Sequence, residues 1–103
     1  ISHAIESYLI KGNFGVVREL TGHGIGHELH EDPLIPNVGR KGTGAILREG
    51  MAIAIEPIVT LGGSRVILMD DEWTFKTADG SLSAHFEHTI AVTNSSAEVL
   101  TLL

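Results

Sequence analysis

Cysteine is absent from this chain of 103 residues, which excludes a disulfide framework, a thiolate zinc site and a cysteine nucleophile. The absence is compatible with a cytoplasmic location, which we take as the expected one. No apolar run approaches the ~20 residues that span a bilayer, and no cationic segment followed by an apolar stretch indicates a secretory signal. The chain begins with Ile1 and lacks an initiator methionine, so we expect it to be an excerpt of a longer protein.

Basic residues are few. Seven Lys and Arg stand against 13 Asp and Glu, giving a formal net charge of −6, which argues against a nucleic-acid-binding surface. What the chain does contain, a hydrophobic share of 43% and twelve glycines, is typical of a globular, turn-rich protein. At this length we expect a single domain, residues 1–103, with a modest core.

Apolar spacing predicts a mostly β chain preceded by one helix. Residues 1–10 have helical spacing, and the following Gly12 and Asn13 predict the end of that helix. Strands or extended segments are expected at 15–20, 27–31, 52–60, 65–69, 83–93 and 97–103. Loops are expected around Pro33 and Pro36 and over 42–51.

Two glutamates are unusual because alternation places them inside strands. Glu56, in AIAIEP, shares a strand face with two alanines, whose small side chains leave space beside the carboxylate. Glu87 is predicted to lie mid-strand on a polar face between His85 and Thr89. Glutamate is disfavoured in strand interiors, and a buried carboxylate needs a cation or donors beside it. A structural salt bridge would explain either glutamate alone. Two such glutamates in one chain form a pattern, which calls for a common explanation.

Residues 21–33, TGHGIGHELHEDP, hold three histidines, three acidic residues and three glycines. The glycines argue against a helix, and HELHE departs from the zincin pattern because its second histidine comes one residue early. Glycines instead let the backbone bend and approach closely, so that His23 and His30 reach a common centre from extended backbone. A solvent-facing or merely hydrogen-bonded role for each histidine stays open. Together with the two glutamates they form an oxygen-rich set that suits Mn, Fe, Co or Zn in a hydrolytic site.

Three segments resemble successive motifs of the type I methionine aminopeptidases: TGHGIGHELHEDP, LREGMAIAIEPIV and WTFKTADGSLSAHFEHTIAVT. Their order and spacing are similar to the family's, over essentially the whole chain but only over that family's C-terminal half. The resemblance implies an α+β fold, the pita-bread fold of the creatinase and aminopeptidase superfamily, with a curved, mainly antiparallel sheet. SAHFEHT is more similar to the methionine enzymes than to the proline-specific ones.

The same resemblance implies roles for individual residues. His23 resembles the family's histidine metal ligand, Glu56 a terminal ligand that relays the proton of the attacking water, and Glu87 the carboxylate that bridges two metals. Glu56 and His30 are therefore the candidate catalytic residues, because His30 resembles the histidine that contacts the substrate's scissile amide.

Further positions are expected around the substrate. Trp73 resembles a hydrophobic wall residue of the methionine pocket, and Leu29 occupies a place where the family often has phenylalanine, so both are expected to bind substrate. His85 stands where other members commonly have glutamine, and its role stays open. His27 falls at a variable position and is expected to lie outside the site.

Two aspartates that complete the family's metal pair have no counterpart here, since they belong to its N-terminal half. The aspartates of this chain match none of the missing motif: Asp32, Asp70, Asp71 and Asp79. The chain therefore carries three of the five ligands, which predicts weak binding of a divalent metal and a need for the missing half.

The resemblance implies that the intact protein is a metal-dependent aminopeptidase that removes methionine from the N-termini of nascent polypeptides, with the ribosome as a candidate place of encounter and this chain as an incomplete part of the site. Its cofactors would be two divalent ions, Co, Mn, Fe or Zn, and no membrane or nucleic-acid partner is expected. Three alternatives remain open: a pseudoenzyme or binding module of the same fold, a half-fold that needs a partner half, and a proline-specific aminopeptidase. Whether this chain alone is active is also open.

Overall fold

The computed structural model describes all 103 residues, as one helix and ten short strands. Helix α1 spans Ser2–Lys11, and none of the helical structure is long and apolar enough to cross a membrane. The strands are β1 Gly15–Val16, β2 Gly22–Ile25, β3 Glu31–Ile35, β4 Ala52–Ile55, β5 Ile58–Thr60, β6 Val66–Leu68, β7 Phe75–Thr77, β8 Ser83–His85, β9 His88–Val92 and β10 Ala97–Val99. The mostly β chain that the sequence predicts is confirmed.

The strands form three antiparallel sheets. The largest has the order β10-β9-β4-β2-β3, the second has the order β1-β5-β8, and β6 pairs with β7 as a separate hairpin. In the largest sheet His23 pairs with Ala54, and Ala54 pairs with Thr89, so the three residues lie in one cross-strand row. The imidazole of His23 therefore stands beside a methyl group, which leaves space on that face.

A paired ribbon of strands crosses from the largest sheet into the three-stranded sheet. One member of the ribbon is β4 followed by β5, and its antiparallel partner is β8 followed by β9. Glu56 and Pro57 fill the gap in the first member, while Phe86 and Glu87 fill the gap in the second. Both glutamates therefore lie where the ribbon bends between sheets.

The uninterrupted strands predicted over 52–60 and 83–93 are wrong for this reason. Pro57 has no N–H to contribute to a ladder. One backbone hydrogen bond spans the gap, from the N–H of Phe86 to the carbonyl of Pro57 at 3.1 Å. Alternation alone does not reveal a change of sheet, so it misplaces both glutamates in strand interiors.

The segment before β3 also differs from the prediction. The extended stretch expected from His27 to Glu31 is a series of bends, and β3 begins only at Glu31. The strand then continues through Pro33, where a loop is predicted. β3 is an edge strand of its sheet, and an edge tolerates a residue without an N–H.

Two glycines of β2 occupy places where the backbone leaves no room for a side chain. A Cβ on Gly22 would meet the carbonyl of Ala54, and a Cβ on Gly24 would meet the carbonyl of Asp32. The pairing of β2 with β3 also shifts register between His23 and Gly24. The close backbone approach predicted for this glycine-rich segment is confirmed, and it holds His23 between two neighbouring strands.

The core is small and sits in the largest sheet. Ile35, Ile53 and Ile90 form it, from β3, β4 and β9. Eleven of the 103 residues are buried, and none of them belongs to α1. Large apolar side chains such as Leu34 and Phe86 are exposed. Much of the apolar surface of this chain is thus uncovered.

A carboxylate fixes the base of the β6–β7 hairpin. Asp79 accepts hydrogen bonds from the N–H of Gly63, at 2.7 Å, and from the N–H of Ser81, at 3.0 Å. The bond from Gly63, followed by those from Ser81, lowers the pKa of Asp79 from 3.8 to about 2. The charged aspartate therefore ties the turn after β7 to the turn after β5, which orients the hairpin.

Candidate metal centre and substrate cleft

The structure brings the three predicted metal ligands together. His23 lies in β2, and Glu56 and Glu87 come from the two gaps of the ribbon. Each side chain offers one ligand atom, and the three atoms lie within 4.8 Å of one another. His23 is buried, Glu56 is partly buried and Glu87 is exposed, so the cluster opens outward at Glu87.

The imidazole of His23 turns one ring nitrogen toward a carboxylate. Its Nδ1 lies 2.8 Å from the carbonyl oxygen of Gly24, and a carbonyl only accepts, so Nδ1 is the donor. In a neutral ring Nε2 is then unprotonated, and it lies 3.3 Å from Oε1 of Glu56. The two side chains are only 9% and 15% exposed. A neutral His23 would thus set two acceptors against each other in a poorly exposed place, an arrangement that calls for a proton or a metal ion between them.

The spacing of these atoms suits a shared metal ion. Ligand atoms about 2.0–2.2 Å from one cation, at a near-tetrahedral angle, lie about 3.4 Å apart. The observed separation of Nε2 of His23 and Oε1 of Glu56 is 3.3 Å. One imidazole and two carboxylates form a donor set that Mn, Fe, Co and Zn accept. The residues present therefore fit a divalent metal.

His85, whose role the sequence leaves open, contacts the same carboxylate. Its Nε2 lies 3.3 Å from Oε2 of Glu56, so an imidazole stands at each oxygen of Glu56. His85 is the last residue of β8 and is half exposed, and it is not part of the three-ligand cluster. Its contact is with Glu56, a candidate ligand.

A cleft of about 560 Å³ opens beside the cluster. Its polar side includes His23, His30, Glu56 and His85. The remaining lining residues are Val17, Leu20, Thr21, Ile58, Val66, Trp73, Phe75, Lys76, Thr77 and Ser83. The cleft thus joins a carboxylate and imidazole wall to a largely apolar one, a combination common in small-molecule sites.

His30 reaches the cleft from the bends that precede β3. The centroid of its ring lies 4.2 Å from that of His23, with the two planes tilted by 49°. Its nitrogen atoms are not part of the ligand cluster. His30 therefore lies beside a candidate metal ligand and faces the interior of the cleft.

Comparison with known proteins identifies the family of this chain. Residues 1–94 match the model of metallopeptidase family M24. The chain belongs to metallopeptidase family M24. The methionine aminopeptidase of Clostridium perfringens is 52% identical over 103 residues, which is 100% of this chain and 41% of that protein. Methionine aminopeptidase 1 of Bacillus subtilis is 50% identical, over 98% of this chain and 41% of that protein.

Solved structures of M24 relatives have the same fold. The methionine aminopeptidase of Thermotoga maritima superimposes with a TM-score of 0.94 at 54% identity, covering 97% of this chain and 40% of that chain. The enzyme of Rickettsia prowazekii gives 0.95 at 51% identity, covering 98% and 41%. The predicted α+β pita-bread fold and the predicted relationship to methionine aminopeptidases are confirmed. This chain spans about two fifths of the length of the relatives it matches.

Trp73 and Leu29 were both predicted to bind the substrate side chain, but they lie in different places. Trp73 lines the cleft and is 85% exposed. Leu29 is 68% exposed, lies among the bends before β3 and does not line the cleft. His27, expected outside the site, is exposed and does not line the cleft either.

A charged turn holds Trp73. The carboxylate of Asp71 accepts hydrogen bonds from the N–H of Trp73, at 3.0 Å, and of Thr74, at 2.8 Å, as well as from the hydroxyl of Thr74. The hydroxyl of Thr74, followed by these N–H groups, lowers the pKa of Asp71. The carboxylate therefore stays charged and fixes the turn that carries Trp73 into the cleft.

Sequence reasoning missed most of the apolar lining. Phe75 begins β7, whereas Trp73 lies in the turn before that strand, so strand alternation from Trp73 could not have identified Phe75. Val66 had no local signal either, since its place in the cleft depends on the pairing of Val66 with Thr77 across the hairpin.

Proposed function

We propose that the protein carrying this chain removes methionine from polypeptide N-termini, and that this chain supplies three metal ligands and one wall of the substrate cleft. One observation carries the proposal: Nε2 of His23 faces the Glu56 carboxylate, with Glu87 in reach, beside a cleft with an apolar wall. The names of relatives about half identical in sequence support methionine as the residue removed.

His23, Glu56 and Glu87 would hold the metal. When bound, a pair of divalent ions polarises the substrate carbonyl and lowers the pKa of a bound water toward ~7. Two aspartates from the rest of the fold are proposed to complete the ligand set, so this chain alone should bind a divalent ion weakly.

Two side chains of this chain would handle protons and charge. Glu56 presents one oxygen toward His23 and the other toward His85, and we assign it the proton of the attacking water. His30 would donate a ring N–H to the substrate carbonyl as negative charge develops on its oxygen.

The apolar wall would select the substrate side chain. Trp73 and Phe75 line the cleft from the hairpin side, and Ile58 lines it from β5. Apolar surfaces of this kind bind the long thioether of methionine through burial. Leu29 lies outside the cleft, so we leave it out of the proposed wall.

The uncovered apolar surface supports the proposal that a further part of the protein packs against this chain. With eleven of 103 residues buried, much of its apolar surface would be covered by the further length that its relatives have. We propose that this further part of the fold, and not a second copy of the chain, provides the cover. Nascent polypeptides in the cytoplasm, met at the ribosome, are the proposed substrates.

Turnover on matched peptides tests the proposal. We expect the protein carrying this chain to release methionine from a peptide that begins Met-Ala and to leave the same peptide beginning Pro-Ala intact. Glu56→Gln should abolish release because it removes a metal ligand and the proposed base together. The assay is chromatographic detection of the free amino acid.

Two outcomes would contradict the proposed function. Release of proline in place of methionine would identify a proline-specific aminopeptidase. Tight binding of the Met-Ala peptide without release, in protein loaded with metal, would identify a binding module of the same fold.

A further inference from the structure

Asn37 is one of the most buried side chains of the molecule, although it does not line the cleft. It follows β3 in the chain and is 1% exposed. Its Nδ2 donates hydrogen bonds to the carbonyl oxygen of Leu20, at 3.4 Å, and to that of Glu56, at 3.2 Å. One amide group therefore joins two segments that are distant in sequence.

Both of those segments belong to the site. Leu20 and the adjacent Thr21 line the cleft and lead directly into β2, which carries His23. Glu56 lies in the gap between β4 and β5, where ladder pairing stops, and no backbone N–H bonds to its carbonyl. Asn37 thus donates to the Glu56 carbonyl the hydrogen bond that no neighbouring strand provides.

The contact uses both N–H groups of the Asn37 amide. Both partners are carbonyl oxygens, which only accept, so the side chain must direct two N–H bonds from one nitrogen. The other end of the amide, Oδ1, is buried and has no hydrogen-bond partner. An unpaired buried acceptor is unfavourable, which indicates that the two donor bonds determine how Asn37 is placed.

We propose that Asn37 is a positioning residue for Glu56. It ties the backbone of Glu56 to the segment that leads into His23, and through that tie it sets the separation of His23 Nε2 and Glu56 Oε1 at which a cation is held. This inference rests on the proposed metal-ligand roles of His23 and Glu56.

Thr60 offers a matched control. It is also 1% exposed, and its hydroxyl bonds to backbone carbonyls, 3.1 Å from that of Gly62 and 2.8 Å from that of Gly63. It lies at the far end of β5 from Glu56, forms no hydrogen bond with a candidate ligand and does not itself line the cleft, although its strand partner Ser83 does. Thr60→Val therefore removes a buried polar contact of similar kind without touching Glu56.

The test is a Co²⁺ titration of the protein carrying this chain, followed by visible absorption, with melting temperature measured on the same samples. Asn37→Asp keeps the size of the side chain and replaces both donors with an acceptor. We expect it to lower Co²⁺ affinity ~10–100-fold and to change the Co²⁺ absorption bands. Asn37→Ser, which keeps one donor, should fall between Asn37→Asp and the parent. Thr60→Val should lower the melting temperature and keep both affinity and spectrum.

The outcomes separate this inference from the function it rests on. A parent protein that takes up no Co²⁺ would refute the ligand roles of His23 and Glu56 and the inference with them. Parental affinity and spectrum in Asn37→Asp, or equal losses in Asn37→Asp and Thr60→Val, would overturn the inference alone. If Asn37→Asp does not fold, Asn37→Ser decides by the same criterion.

Discussion

Replacement of Glu87 with glutamine is expected to remove paired metal binding. The two carboxylate oxygens of Glu87 carry the charge that a cation needs, whereas the amide nitrogen of glutamine has no lone pair to offer. The change is isosteric, and Glu87 is exposed, so the fold should not depend on it. Because a ligand itself is lost, the fall in affinity should exceed the ~10–100-fold that follows loss of a partner outside the ligand set.

His85→Gln is the matched control for this experiment. His85 lies two residues earlier in the same ribbon strand and is also exposed, but it contacts Glu56 and is not part of the ligand cluster. Because the amide of glutamine can still donate to the Glu56 carboxylate, we expect this variant to keep the parental metal content, measured by atomic emission on dialysed protein. Equal metal loss in the two variants would mean that His85 is itself a ligand.

His30→Ala is expected to lower turnover by ~10²–10³, the usual effect of losing a donor to a developing oxyanion. Metal content should stay at the parental level, because the His30 ring lies beside that of His23 but outside the ligand cluster. The effect on catalysis should therefore be far larger than the effect on metal binding.

His27→Ala provides the comparison, since His27 is an exposed histidine of the same bend segment that does not line the cleft. Turnover, metal stoichiometry and melting temperature should be measured on one preparation of each variant. A metal-free His30→Ala protein would exclude the substrate-contact role, and so would a metal-replete one with near-normal turnover. A drop in melting temperature with modest rate loss would instead assign His30 a role within its own loop.

The residue pattern selected His23, His30, Glu56 and Glu87 as a set because their residue types are unusual for their context, and the family resemblance implied which three of them are ligands. Carboxylates within apolar, strand-like segments and a histidine between glycines are rare without a cation or a close backbone approach. The bends that bring Glu56 and Glu87 together could not be predicted in the same way. They arise where the ribbon changes sheets, and this depends on pairing between strands that are distant in sequence.

The residues that line the cleft were harder to predict from the sequence than the candidate ligands. Trp73 was identified through resemblance, but its position depends on the turn at Asp71 and on the anchoring of the hairpin by Asp79. Asn37 gave no local signal at all, because its partners Leu20 and Glu56 lie 17 and 19 residues away in sequence. Contacts of that range follow from the register of the sheets, which no short pattern encodes.

The most direct measurement of the central claim is anomalous diffraction at the cobalt edge from crystals of the protein grown with Co²⁺. We predict a cobalt peak about 2.0–2.2 Å from Nε2 of His23 and from carboxylate oxygens of Glu56 and Glu87. A cobalt peak elsewhere, or one bound by His30 or His85 with His23 unligated, would contradict the assignment of these three residues as the metal centre.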